Sequence, residues 1–126
     1  MCAKVLSVGN CAADNASLST WLQRNFEVTY ETAASPADAI RLADSGGYSL
    51  ILVNRILDRG GESGEELIQE LVQAKSSAPV MLISNFADAQ ERAQQLGARP
   101  GFGKSELGKP ETIEKVRHVL DSASSQ

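Results

Sequence analysis

The amino-acid sequence predicts an α/β fold, a parallel sheet sandwiched between two layers of helices, and three observations carry that prediction. Residues 48–53 and 79–84 are nearly uninterrupted apolar runs, too short for helices and rich in strand formers, as strands covered on both faces are. Strand-like and helix-like segments then alternate five times along the chain, the order of βαβ units rather than of hairpins. Finally, helix start and stop signals fall between the runs, clearest at Ser35-Pro36-Ala37-Asp38 and Gly46-Gly47.

In chain order, Lys4 to Val8 is a first strand ending at Gly9-Asn10. Asp14 or Asn15 is expected to cap a helix whose Leu18, Trp21, Leu22 and Phe26 share one face. Phe26 to Tyr30 alternates in polarity, as an edge strand does. The second helix starts at the Ser35 cap and runs to Ser45. Tyr48 to Asn54 is the third strand, the apolar centre of the sheet. Glu65 to Lys75 is a helix with acids in its first turn and Leu67, Ile68, Leu71 and Val72 inward. Pro79 to Ser84 is the fourth strand, and Asp88 to Leu96 a helix with a thin stripe of Ala89, Ala93 and Leu96, stopped by Gly97. Phe102 marks a weak fifth strand between Pro100 and Lys104. Pro110 opens a last helix with Ile113, Val116 and Val119 or Leu120 inward. Residues 1–121 form one domain in this reading, with 122–126 a polar tail.

Composition narrows the function. The chain of 126 residues has a net charge of −4 and its lysines and arginines are scattered, so neither nucleic acid nor an anionic membrane is an expected partner. No apolar segment approaches membrane-spanning length and Met1-Cys2-Ala3-Lys4 does not read as a secretory signal, so a cytoplasmic protein is expected. Cys2 and Cys11 flank a predicted strand and stand too far apart to pair, so both are read as thiols. His118 has no cysteine or second histidine near it in the sequence to make a metal site, and the glycine-rich stretch 58–64 ends in Glu65-Glu66, which repels phosphate. No metal and no cofactor are expected.

With the elements placed, the chain from Lys4 to Leu120 resembles a response-regulator receiver domain. The resemblance rests on Lys4-Val5-Leu6-Ser7-Val8 as first strand, Tyr48-Ser49-Leu50-Ile51-Leu52-Val53 as third, Pro79-Val80-Met81-Leu82-Ile83-Ser84 as fourth, and the spacing of Gly97-Ala98 to Lys104. It implies the flavodoxin-like (CheY-like) α/β/α sandwich with strand order 2-1-3-4-5. It also implies where a phosphorylation site would lie. The acidic pair that holds Mg²⁺ in the family corresponds to Gly9 and Asn10, the phosphoacceptor aspartate to Asn54, the hydroxyl residue to Ser84 and the lysine to Lys104. Ser105 replaces the proline after that lysine, and Gly101 stands at the aromatic switch position, with Phe102 beside it. A competing register uses Lys109-Pro110; it overextends the fifth strand, and Pro110 already explains a helix start.

An amide oxygen is a poor nucleophile, and Mg²⁺ binds hard anionic oxygens. These substitutions therefore predict a degenerate, pseudo-receiver site without catalytic residues: a non-enzymatic signalling module that binds another signalling protein or a second copy of itself without phosphorylation. The resemblance puts the binding face on the fourth helix, fifth strand and fifth helix, where Arg92 and Arg117 are expected to be exposed and to probe it. Lys104 is expected to face Asn54 or reach water along its apolar stem, and Ser84 to hydrogen-bond the strand end. Two alternatives remain at this point. One is a small-molecule or redox-ligand site in the space near Gly9, Asn10 and Cys11; the other is phosphorylation through displaced acids such as Asp58, Glu62 or Asp14.

Overall fold

The computed structural model describes residues 3–33, 35–56, 63–74 and 78–124, with side chains through Asp121. Five parallel strands, β1 (Ala3–Val8), β2 (Val28–Ala33), β3 (Leu50–Asn54), β4 (Val80–Ile83) and β5 (Arg99–Phe102), lie in the order β2-β1-β3-β4-β5. They alternate with helices α1 (Ala12–Asn25), α2 (Pro36–Ser45), α3 (Gly64–Gln73), α4 (Ala87–Gln95) and α5 (Pro110–Ser124). The predicted architecture and strand order are both present.

Each β-strand points successive side chains to opposite faces, and the sheet accordingly builds two cores. Leu6, Val8, Ile51, Val53 and Leu82 pack under α2, α3 and α4; Val5, Leu50, Leu52, Met81, Ile83 and Phe102 pack under α1 and α5. Every residue of the run from Leu50 to Val53 is fully buried, which is why that stretch reads as apolar without alternation. β2, a sheet edge, has exposed Thr29 and Thr32 between its buried ends.

Ser35 caps α2 by accepting from the Asp38 amide at 3.2 Å, with Pro36 in the first turn, as predicted. Gly97 closes α4 at φ 111°, a backbone region that favours glycine. Other boundaries differ. β2 starts at Val28, because Phe26 ends α1 and turns edge-on to Trp21. Asp14 and Asn15 do not cap α1; the cap position is Cys11, and both lie inside the first turn with tertiary partners. Val72 faces solvent at 40 % exposure, so α3 buries a narrower stripe than its sequence suggested. α5 continues through Ser124, into the stretch read as a tail. Among the described residues no helix is long and apolar enough to cross a membrane.

Candidate functional site

Parallel strands deliver their C-terminal ends to one edge of the sheet, and ligands of open α/β folds gather in the crevice there. A cavity of about 230 Å³ lies at that edge, lined by Asn54, Arg55, Ile56, Ile83, Ser84, Asn85, Phe86 and Lys104. Asn54, Ser84 and Lys104, three of the five positions the resemblance singled out, therefore meet in one wall. The Lys104 register is the one the structure adopts at this cavity; Lys109 lies instead on the groove between α4 and α5.

Gly9 and Asn10 are both buried and neither lines the cavity. Gly9 has φ 78°, a left-handed conformation costly for a residue with a side chain. The Asn10 amide donates inward to Ser7 Oγ at 2.8 Å, and its Oδ1 is buried without a partner. Ser7 Oγ donates to Asn15 Oδ1 at 3.1 Å, and Tyr30 Oη donates to the same oxygen at 2.6 Å. Beside Gly9 the described side chains of Ser7, Asn10, Asn15 and Tyr30 thus form an uncharged hydrogen-bonded cluster, and neither Gly9 nor Asn10 borders the cavity. Burial pushes the Tyr30 hydroxyl up to about 12.

Asn54 is held by its own amide: Nδ2 donates to the Ile56 carbonyl at 2.7 Å and the Gly9 carbonyl at 3.3 Å. Lys104, from a short 3₁₀ turn (Lys104–Glu106) after β5, does not pair with it. Its ammonium lies 2.5 Å from Asp14 Oδ2 on α1, correcting both readings made of these side chains. The hydrogen bond from Lys104 holds the Asp14 carboxyl below its usual range; partial burial opposes this, while the Cys11 thiol and the lysine's charge support it. Ser84, expected to hydrogen-bond the strand end, bonds the next helix instead: its Oγ accepts from the Phe86 amide at 3.1 Å, at the start of α4.

The chemistry available here follows from these partners. Among the described residues no group of three His, Cys, Asp or Glu side chains stands close enough to hold a metal ion. The cavity wall carries two cations and no carboxylate, so the described residues do not fit a divalent cation that requires anionic oxygens. Asp58 and Glu62, the other acids considered, lie outside the described residues.

The switch position differs as well. Phe102 is fully buried on the α1/α5 side, 5.8 Å from the Trp21 ring centre, and does not stand in for an aromatic at Gly101. Gln90 of α4 occupies the neighbourhood instead. Its amide nitrogen donates to the carbonyls of Leu82 at 2.9 Å and Ser84 at 3.1 Å, and its oxygen accepts from the Gly101 amide at 3.1 Å. These bonds cross the irregularity in β4–β5 pairing between Met81 and Ile83. A Cβ on Gly101 would fall 2.1 Å from the Leu82 carbonyl oxygen, so only glycine fits. Sequence reasoning missed Gln90, Arg55 and Phe86; the glycine at a strand position was the one local sign of a close approach.

The fold is that of the response-regulator receiver domains. A response regulator receiver protein from Pseudoalteromonas atlantica superposes with a TM-score of 0.77 at 21% identity, over 95% of this chain and 98% of that one. A CheY-like receiver domain from Methylobacillus flagellatus gives 0.70 at 20%, over 98% and 99%. A response regulator from Burkholderia pseudomallei, solved with a phosphorylated aspartic acid, gives 0.71 at 22%, over 98% and 69%. No protein-family model matches the sequence, and no curated protein does.

Proposed function

We propose that this chain is a pseudo-receiver: a signalling module with the receiver scaffold that works by protein–protein interaction, without phosphorylation and without enzymatic activity of its own. The observation that carries the reading is the wiring of Asn54 and Lys104. The residue closing the central strand is an amide whose nitrogen is committed to two backbone carbonyls, and the lysine that would meet a phosphoryl group is committed to Asp14. An acyl phosphate needs an anionic oxygen and a divalent cation at that point, and the described wall supplies neither.

The proposed partner is another signalling protein or a second copy of this chain, bound through the face of α4, β5 and α5. A groove of about 430 Å³ runs there, bordered by Phe86, Gln90, Gln94, Pro100, Lys109 and Lys115. Arg92 and Arg117 are poor probes of it. Arg92 ties α4 to Glu65 of α3 at 2.8 Å, and Arg117 pairs with Glu114 and lies 5.9 Å from the Phe26 ring centre, on the α1 side of α5. Lys109→Glu and Gln94→Arg test the face more directly. Treatment with acetyl phosphate and Mg²⁺, read by intact-protein mass spectrometry, should leave the wild-type chain unmodified, and a stable phosphate adduct overturns the reading. Affinity capture from native extract should recover a partner with wild type and lose it with Lys109→Glu.

A further inference from the structure

The cavity at the sheet edge has its own recognition chemistry, separate from the groove but sharing Ser84, Asn85 and Phe86 with it. We propose that it receives an acidic side chain, flanked by an apolar residue, from a segment of the partner protein; this rests on the reading of the chain as an interaction module. Arg55 is the anchor. Its guanidinium lies 5.0 Å from the centre of the Phe86 ring, which supports the planar face of the cation and leaves its N–H edges for a two-pronged contact with a carboxylate. No described carboxylate lies within ion-pair distance of it.

Carboxylates of neighbouring elements are committed elsewhere. Asp14 is held by Lys104, Asp88 faces Arg92 at 3.4 Å, and Glu106 accepts from the Gly103 amide at 2.8 Å. Lys104 in the same wall is already neutralised by Asp14, so the unpaired positive charge is that of Arg55; the Ser84 hydroxyl, which accepts from Phe86, still has a proton to donate. In a chain of net charge −4, a described wall with no carboxylate and one guanidinium without an ion-pair partner selects for an anion.

The apolar rim decides what kind of anion. Of three large apolar side chains exposed among the described residues, Ile56 at 43 % and Phe86 at 57 % border this cavity. An inorganic anion would bury neither of them. A peptide carboxylate with a leucine-sized neighbour covers both, and burial of that apolar surface adds to the charge contact.

The test is an NMR titration of the full ¹⁵N-labelled chain at low salt, without Mg²⁺ or acetyl phosphate. The probes are acetyl-Gly-Leu-Glu-Leu-Gly-amide, its glutamine isostere, and inorganic phosphate. The acidic peptide should shift the backbone amides of Arg55, Ser84 and Phe86 and bind about tenfold more tightly than the isostere. Phe86→Ala and Arg55→Gln, both at exposed or half-exposed positions, should each weaken it about fivefold while the rest of the spectrum is unchanged. Equal binding of the two peptides overturns the proposal, and needs no variant to be decisive. So does binding of phosphate as tight as that of the acidic peptide, with no effect of Phe86→Ala, which would define a simple inorganic-anion site. Either failure leaves the pseudo-receiver reading standing, since that reading is decided by phosphate incorporation and by the groove variants.

Discussion

Asn54→Asp, the change that recreates a phosphoacceptor in name, should weaken the fold rather than activate it. The Asn54 amide nitrogen donates to the carbonyls of Ile56 at 2.7 Å and Gly9 at 3.3 Å. A carboxylate has no hydrogen to donate, so two carbonyls lose a donor and face a negative oxygen. Hydrogen bonds of this kind contribute about 0.5–1.5 kcal/mol each, and the site is half-exposed, so the net cost at neutral pH is about 1–3 kcal/mol. Lys104 cannot offset it without giving up Asp14. At low pH the new carboxyl is protonated and donates again, so its folded pKa must lie above the unfolded value of about 3.9. Because the native state then holds the proton more tightly, the variant approaches wild type below about pH 4 and falls behind as the pH rises through the folded pKa. Urea unfolding of both proteins across that range measures the gap directly. Acetyl phosphate and Mg²⁺ should still give no adduct on the variant. Equal stability at neutral pH, or a gap that narrows as pH rises, would refute the reasoning.

Gln90→Ala removes the bonds to Leu82, Ser84 and Gly101 and strands backbone groups beside the β5 irregularity; a loss of about 2–4 kcal/mol is expected by denaturant titration, with faster amide exchange at Gly101. The two tyrosines, Tyr30 and Tyr48, are both pushed up to about 12, mainly by burial, with the hydrogen bond to Glu31 adding to the effect at Tyr48. Ultraviolet titration should therefore show little tyrosinate near pH 10, and the stability these neutral hydroxyls contribute, complete below pH 10, should be lost as the pH rises toward 12. Asp14→Asn and Lys104→Met should each cost about 0.5–1 kcal/mol at neutral pH, as a part-exposed pair does. The Asp14 carboxyl is depressed, so that contribution is present above its unfolded value of 3.8 and vanishes as the pH falls through the folded pKa; both variants should match wild type in acid.

Apolar pattern and punctuation determined most of the scaffold. The run from Leu50 to Val53 is buried on both faces, and a strand so placed has no polar side to show. Ser35 starts one helix and Gly97 ends another by local chemistry, and that is why they could be read without any tertiary information. Phe26 was misplaced because an aromatic residue is enriched in strands, whereas here its packing on Trp21 ends the helix core.

The site was legible as a list of positions and not as a set of partners. Sequence order brought Asn54, Ser84 and Lys104 to one edge, since parallel strands must end together. Which ammonium meets which carboxylate depends on how α1 lies beside the end of β5, a separation of 90 residues that no local rule reaches. The same holds for Arg55 on Phe86 and for Gln90 across β4 and β5. Backbone periodicity determined the sheet, its order of elements and its buried faces; side-chain reach across the folded edge decided what the polar residues hold, because those distances exist only after the strands have paired.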